Sequence, residues 1–238
     1  MENPIKTRST ERWYESQLRK VARHVSDIIG GFPPGDPASL NPIDKAMTAY
    51  ADLLDGWARA TGAQMIARVN KNDETAWVAR AREMASWLKR ELRTTATGPI
   101  MQSLLDEQVG LIKSIPLEAA QRVHRLTQEA QLTSARASSV AAEILRTNEV
   151  TESRAKLIAR TEVARTAASL TEARARRIGS VGYIWRTSKD GAVRESHKEM
   201  EGVYVPWDTP PTLSDGTVTH AGCIYNCRCF SEPVIPDF

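Results

Sequence analysis

Residues 1–222 contain no cysteine, and all three cysteines (Cys223, Cys227 and Cys229) fall within the last sixteen of 238 residues. Nowhere does an apolar run approach the ~18 residues that span a bilayer, so a membrane is not an expected partner. The opening Met1-Glu2-Asn3-Pro4 lacks a basic stretch followed by an apolar one, which predicts no signal peptide and synthesis in the cytoplasm. Thiols stay reduced there, and an odd number of them argues against a closed disulfide framework. Also missing are a P-loop, a glycine-rich dinucleotide fingerprint, a His-Glu-x-x-His pair and a nucleophile elbow, which removes the enzyme classes that depend on them.

Aromatic residues are scarce in the first three quarters of the chain. Seven of the fourteen (Tyr183, Trp185, Tyr204, Trp207, Tyr225, Phe230 and Phe238) lie beyond Gly182. Net charge is small, at +3, but unevenly spread: residues 181–238 carry five Lys/Arg against eight Asp/Glu, and the other 180 carry 27 against 21. A basic body with an acidic end-module is compatible with contact to a polyanion without demanding it.

What is present is mainly helix. Tyr14, Leu18, Val21, Val25 and Ile28 form one apolar stripe, with Ser9 or Thr10 as its cap and Gly30-Gly31 followed by Pro33-Pro34 as its stop. Ile43, Met47, Tyr50, Leu54 and Trp57 repeat the spacing after Asn41-Pro42. Asp73 reads as the cap of a third helix with the stripe Trp77, Ala81, Met84, Leu88 and Leu92. Further helices are expected at about 100–113, about 116–131, about 134–147 and about 151–178. The last is alanine-rich, which suits close approach of a partner helix, and Gly179 stops it. After Gly182 the alternation of Tyr183, Trp185 and Thr187 predicts a strand, Asp190-Gly191 and Ser214-Asp215-Gly216 predict turns, and Arg194 to Met200 predicts one or two helical turns. The expected fold class is mainly α, a multi-helix N-terminal body with a small C-terminal α+β module.

Two readings of the cysteines stand side by side. Cys223, Cys227 and Cys229 with His197, or with His220 as the alternative ligand, would make a tetrahedral zinc site in a module whose core alone is marginal. Equally, they are small buried hydrophobes, because Cys-x3-Cys-x-Cys is not the Cys-x2-Cys spacing of a zinc knuckle. A thiol enzyme built from Cys227 or Cys229, His197 and Asp190 has the residue types but no sign of convergence. Between Arg146 and Arg177 eight basic residues face four glutamates, and Arg154, Lys156, Arg165 and Arg176, together with Arg174, occupy partly overlapping helix faces. Such a face either contacts DNA phosphates without sequence preference or is a solvated surface of Glu–Arg pairs. Arg160 and Glu162, with Trp185, Asp190, Arg194 and His197, form a polar set denser than a plain core needs.

These motifs follow one another in a recognisable order: Ala159-Arg160-Thr161-Glu162, then Tyr183-Ile184-Trp185-Arg186-Thr187, then Asp190-Gly191-Ala192-Val193-Arg194-Glu195-Ser196-His197, then Glu201-Gly202 and finally Asn226-Cys227-Arg228-Cys229. The order resembles the head morphogenesis domain of tailed bacteriophages, the Mu F-like family of minor head proteins. The resemblance covers roughly residues 105–234, dividing the chain into a helical region 1–104 and a head-morphogenesis-like domain 105–238, with helices over 105–180 and the α+β module over 181–238. It implies a non-enzymatic virion component assembled in the host cytoplasm, acting at the portal vertex in head assembly or genome delivery. Portal protein, major capsid protein and double-stranded DNA are the partners it implies. The alternative is a zinc-stabilised nucleic-acid-binding module unrelated to capsids.

Overall fold

The computed structural model describes residues 5–80, 97–133 and 137–236. In chain order they form α1 (Arg8–Gly30), a 3-10 turn (Pro37–Ser39), α2 (Leu40–Leu53), α3 (Asp55–Arg80), α4 (Gly98–Thr133), α5 (Ala137–Leu145), α6 (Thr147–Arg177), β1 (Gly182–Arg186), the single-turn α7 (Glu195–Lys198), β2 (Tyr204–Pro206) and β3 (Phe230–Pro233). The fold class is the expected one, mainly helical with a small C-terminal sheet. None of the helices among the described residues is long and apolar enough to cross a membrane.

The helices depart from the sequence expectations where local punctuation meets tertiary packing. Helix α4 runs unbroken through Pro116, whereas two helices separated there were expected. Proline deletes one amide donor and crowds the preceding turn, but Ile112, Ile115, Ala119, Ala120 and Val123 on both sides of it are buried, and a continuous helix keeps that stripe aligned. Asp73 caps nothing: it lies inside α3 and is fully buried. The stripe that Trp77 begins continues over 81–92, outside the described residues. The second stripe is divided by a turn at Leu54, whose amide still donates to the Tyr50 carbonyl at 3.0 Å. Helix α1 begins at Arg8, ahead of the expected caps, and buries Ile29 while Ile28 is half-buried.

Two compact units share the chain. One comprises residues 12–63 and 105–159, the other residues 1–11, 64–104 and 160–238. These units interleave along the sequence and so divide the chain differently from a cut at residue 104. The first unit packs Val25, Ile29, Ile43, Met47, Val123, Val140 and Ile144 into an aliphatic core, and the Tyr14 hydroxyl donates to Gln108 Oε1 at 2.9 Å.

The second unit is built on aromatics. Trp77, Ile178, Tyr183, Trp185, Val205, Trp207, Leu213, Cys227 and Cys229 form one cluster. Its antiparallel sheet has the order β2-β1-β3, pairing Tyr183 with Val205 and Trp185 with Ser231. Tyr183, Trp185 and Thr187 all point inward, as the period-2 pattern requires. Gly182 is obligatory: a Cβ there would sit 2.4 Å from the Tyr204 hydroxyl and 2.6 Å from the Val205 carbonyl.

Candidate functional site

Strand β1 delivers Trp185 to the centre of the terminal module and hands the chain to a polar loop. Just past its end, Glu201 accepts from the Thr187 amide at 2.6 Å and from its hydroxyl at 2.8 Å, while Arg186 bridges to Glu232 of β3 at 2.6 Å. Burial works against the Glu201 charge, but the Thr187 bonds with Lys189 and Arg186 outweigh it and hold the carboxyl below its usual range. Asp190 closes the expected turn by accepting from the Ala192 amide at 3.1 Å, and it binds Arg228 at 2.6 Å. The second expected turn forms in the same way, with Asp215 accepting from the Thr217 amide at 2.9 Å and from the Ser196 hydroxyl at 2.8 Å.

Arg194 reaches across to the Tyr225 carbonyl at 3.0 Å and lies 4.9 Å from the centre of the Tyr225 ring. Tyr225 is the third residue of a turn-bearing stretch, Cys223 to Cys227, in which the Cys227 amide bonds the Ile224 carbonyl at 3.2 Å. The turn needs a left-handed residue, and Asn226 supplies it at φ 60°; asparagine tolerates that region better than most residues. The Asn226 amide then donates to Thr161 Oγ1 at 3.1 Å, tying the middle residue of Arg160-Thr161-Glu162 to Asn226-Cys227-Arg228-Cys229. Two motifs 65 residues apart in sequence are thus one contact. Glu162 is buried and pairs with Arg165 at 3.6 Å; Arg160 lies 3.9 Å from Glu11.

Beyond the turn, Cys227 and Cys229 are two residues apart, and their thiols lie on one side. Both meet His197 of α7: Nδ1 is 3.5 Å from Cys227 Sγ and 3.4 Å from Cys229 Sγ. All three residues are buried, and their ligand atoms lie within 4.8 Å of one another. Trp185 stands edge-on to the imidazole, with ring centres 5.5 Å apart. The Cys229 thiol donates to Cys227, which, with the Cys229 and Gly222 amides and nearby His197, overcomes burial and lowers the Cys227 thiol; the same bond and burial push Cys229 up. Gly222, at φ 81°, has the Cys229 carbonyl 3.0 Å from where a Cβ would be.

Of the five residues named for metal, these three come together. Cys223 turns towards the Ala221 carbonyl at 3.8 Å, and burial pushes its thiol up to about 11. His220 pairs instead with the Tyr183 hydroxyl at 3.1 Å. Asp190 is held by Arg228 and the Ala192 amide, and no hydrogen bond joins it to His197 among the described residues. Among the residues named for DNA, Arg154 makes a two-point pair with Glu118 (3.0 Å), Arg165 pairs with Glu162, Arg176 pairs with Glu172 and Asp208 (both 2.8 Å), and Lys156 is exposed. Sequence reasoning did not single out Thr161, Glu201, Tyr225 or Arg228 as partners. A hydroxyl or a carboxylate whose donor lies 14 or more residues away carries no local signal.

Comparison with known proteins agrees with the order of the motifs. The chain is 28% identical to an uncharacterised protein of Haemophilus influenzae across 98% of its own length, and spans about half (55%) of that relative. No solved structure matches it. Residues 120–232, a stretch that contains the Arg160–Glu162, Trp185–His197 and Asn226–Cys229 motifs, match the family described as Phage Mu protein F like protein.

Proposed function

We propose that this protein is a non-enzymatic minor head component of a tailed phage, built into the virion at the portal vertex and acting in head morphogenesis. The observation that carries the reading is the family match over residues 120–232. The chemistry of the terminal module supports it. A hydrolytic thiol needs a base oriented by a third group, and His197 Nε2 is buried with no hydrogen-bond partner among the described residues. Several of the module's polar side chains hold backbone in place, as Glu201, Asp190, Asp215 and Arg194 do. A scaffold spends its polar groups this way; an active site leaves some aimed at a substrate.

The proposed partners are the portal and major capsid proteins of the same phage. DNA is the weaker partner, because phosphate would have to displace Glu118, Glu162, Glu172 or Asp208 from three of the four named basic residues. The test is co-sedimentation of the full chain with procapsids and with purified portal protein from its own phage or prophage. Association with either is the expected result. Normal heads from a gene deletion, together with no association, would sink the reading.

A further inference from the structure

We propose that His197, Cys227 and Cys229 form a binding site for one zinc-class divalent cation, with three protein ligands and a solvent molecule in the fourth position. The distances carry the assignment. Zn–S of about 2.3 Å and Zn–N of about 2.0–2.1 Å at tetrahedral angles put sulfur and nitrogen about 3.5–3.6 Å apart. His197 Nδ1 lies 3.4 and 3.5 Å from the two sulfurs. A single imidazole nitrogen can donate or accept only one hydrogen bond, so it cannot satisfy both sulfurs at once. A cation between them satisfies all three atoms.

The surroundings fit as well. Two thiolates neutralise a divalent cation, and zinc favours that nitrogen–sulfur donor set. The Cys229 amide donates to Cys227 Sγ at 3.4 Å, the kind of contact that orients a ligating thiolate. The ligands are positioned by independent devices: α7 for the histidine, and the Asn226 turn anchored on Thr161 for the cysteines. Beside them lies a cavity of about 10 Å³ lined by Ser188, Ala192, Arg194 and Asn226 together with all three ligands, about the space one water needs. Ser188 Oγ is buried there without a hydrogen-bond partner among the described residues, a ready contact for metal-bound solvent. Cys223 and His220 belong to other contacts and take no part.

The experiment is titration of the full-length reduced protein with Co²⁺, followed by displacement with Zn²⁺. The expected result is thiolate-to-cobalt charge-transfer absorption with four-coordinate visible bands, saturating at one equivalent and bleached by zinc. Cys227→Ser, Cys229→Ser and His197→Ala should each abolish the one-equivalent signal; Cys223→Ser and His220→Ala should leave it unchanged. Circular dichroism on each variant checks the fold. Should the serine variants unfold, His197→Cys keeps three ligands and must show the band with a third thiolate contribution. The proposal is overturned by no cobalt band in the wild type, by a band that survives Cys227→Ser and Cys229→Ser, by its loss in Cys223→Ser or His220→Ala, or by a silent His197→Cys.

Discussion

In the unit formed by residues 12–63 and 105–159, the buried polar side chains among the described residues are Ser39, Thr61, Gln108, Thr127, Thr147 and Thr151, and none carries a charge. In the other unit they include Asp73, Glu162, Arg174 and His197. The first unit satisfies its backbone inside long helices, so buried threonines need only back-bond one turn away, as Thr127 does to Val123 at 3.0 Å and Thr151 to Thr147 at 2.7 Å. The second has three short strands and long irregular connections. Its backbone donors and acceptors must find side chains, as the Thr187 amide finds Glu201, whereas Asp73, Glu162 and Arg174 lie on helices and pair side chain to side chain. Helix-rich packing tolerates neutral filler. A small irregular module is held by named polar contacts.

Removing one member of the most buried pair should have the largest effect. Arg174 binds Asp73, which also accepts from Thr171 at 2.7 Å. Burial pushes the Asp73 carboxyl up, and Arg174 and Thr171 pull against it. Arg174→Met strands a charge that has no access to water, and we expect a loss of about 3–5 kcal/mol in urea unfolding. The control is Arg122→Met, which breaks the half-exposed Arg122–Glu143 pair of the other unit (3.4 Å) and should cost no more than about 1 kcal/mol. Equal losses would erase the contrast between the units.

Glu201→Gln should have an intermediate effect. It weakens two bonds to Thr187 without emptying the site, and we expect about 1–3 kcal/mol at neutral pH. Because the folded carboxyl titrates below the ordinary 4.5, its contribution is complete above the unfolded value and is lost as pH falls through the folded one. The stability gap between wild type and variant should therefore narrow on acidification below about pH 4.5. A gap independent of pH would mean that the charge of Glu201 contributes nothing.

The smallest effect belongs to Arg154→Ala. Its pair with Glu118 is two-pronged at 3.0 Å but about a third exposed, and exposed pairs contribute about 0–1 kcal/mol. A larger loss, insensitive to salt, would show that the helical unit also depends on charge.

The stripes that begin at Tyr14 and Ile43, the Tyr183–Trp185–Thr187 alternation and both Asp-Gly turns were legible because each is a local rule with a fixed period or a fixed offset. Pro116 and Asp73 were misread for the same reason. Each is a strong local signal for a boundary, and each is overridden by burial over a longer helix. The site was half legible. Its residue types and motif order were visible, but five metal candidates could not be reduced to three, and the partners of Arg194, Asp190 and Thr161 were invisible.

By itself, then, the sequence determined the helical body, the change of composition after Gly182, the strand alternation and the family motifs, because these depend on spacing along the chain. Only the tertiary structure decided that Cys227 and Cys229 face His197 while Cys223 turns to Ala221, and that Asn226 rests on Thr161. The physical reason is the direction of side chains. Cys227 and Cys229, two apart beyond the turn, share one side, whereas the left-handed Asn226 turn between Cys223 and Cys227 redirects the chain by an amount that spacing cannot encode.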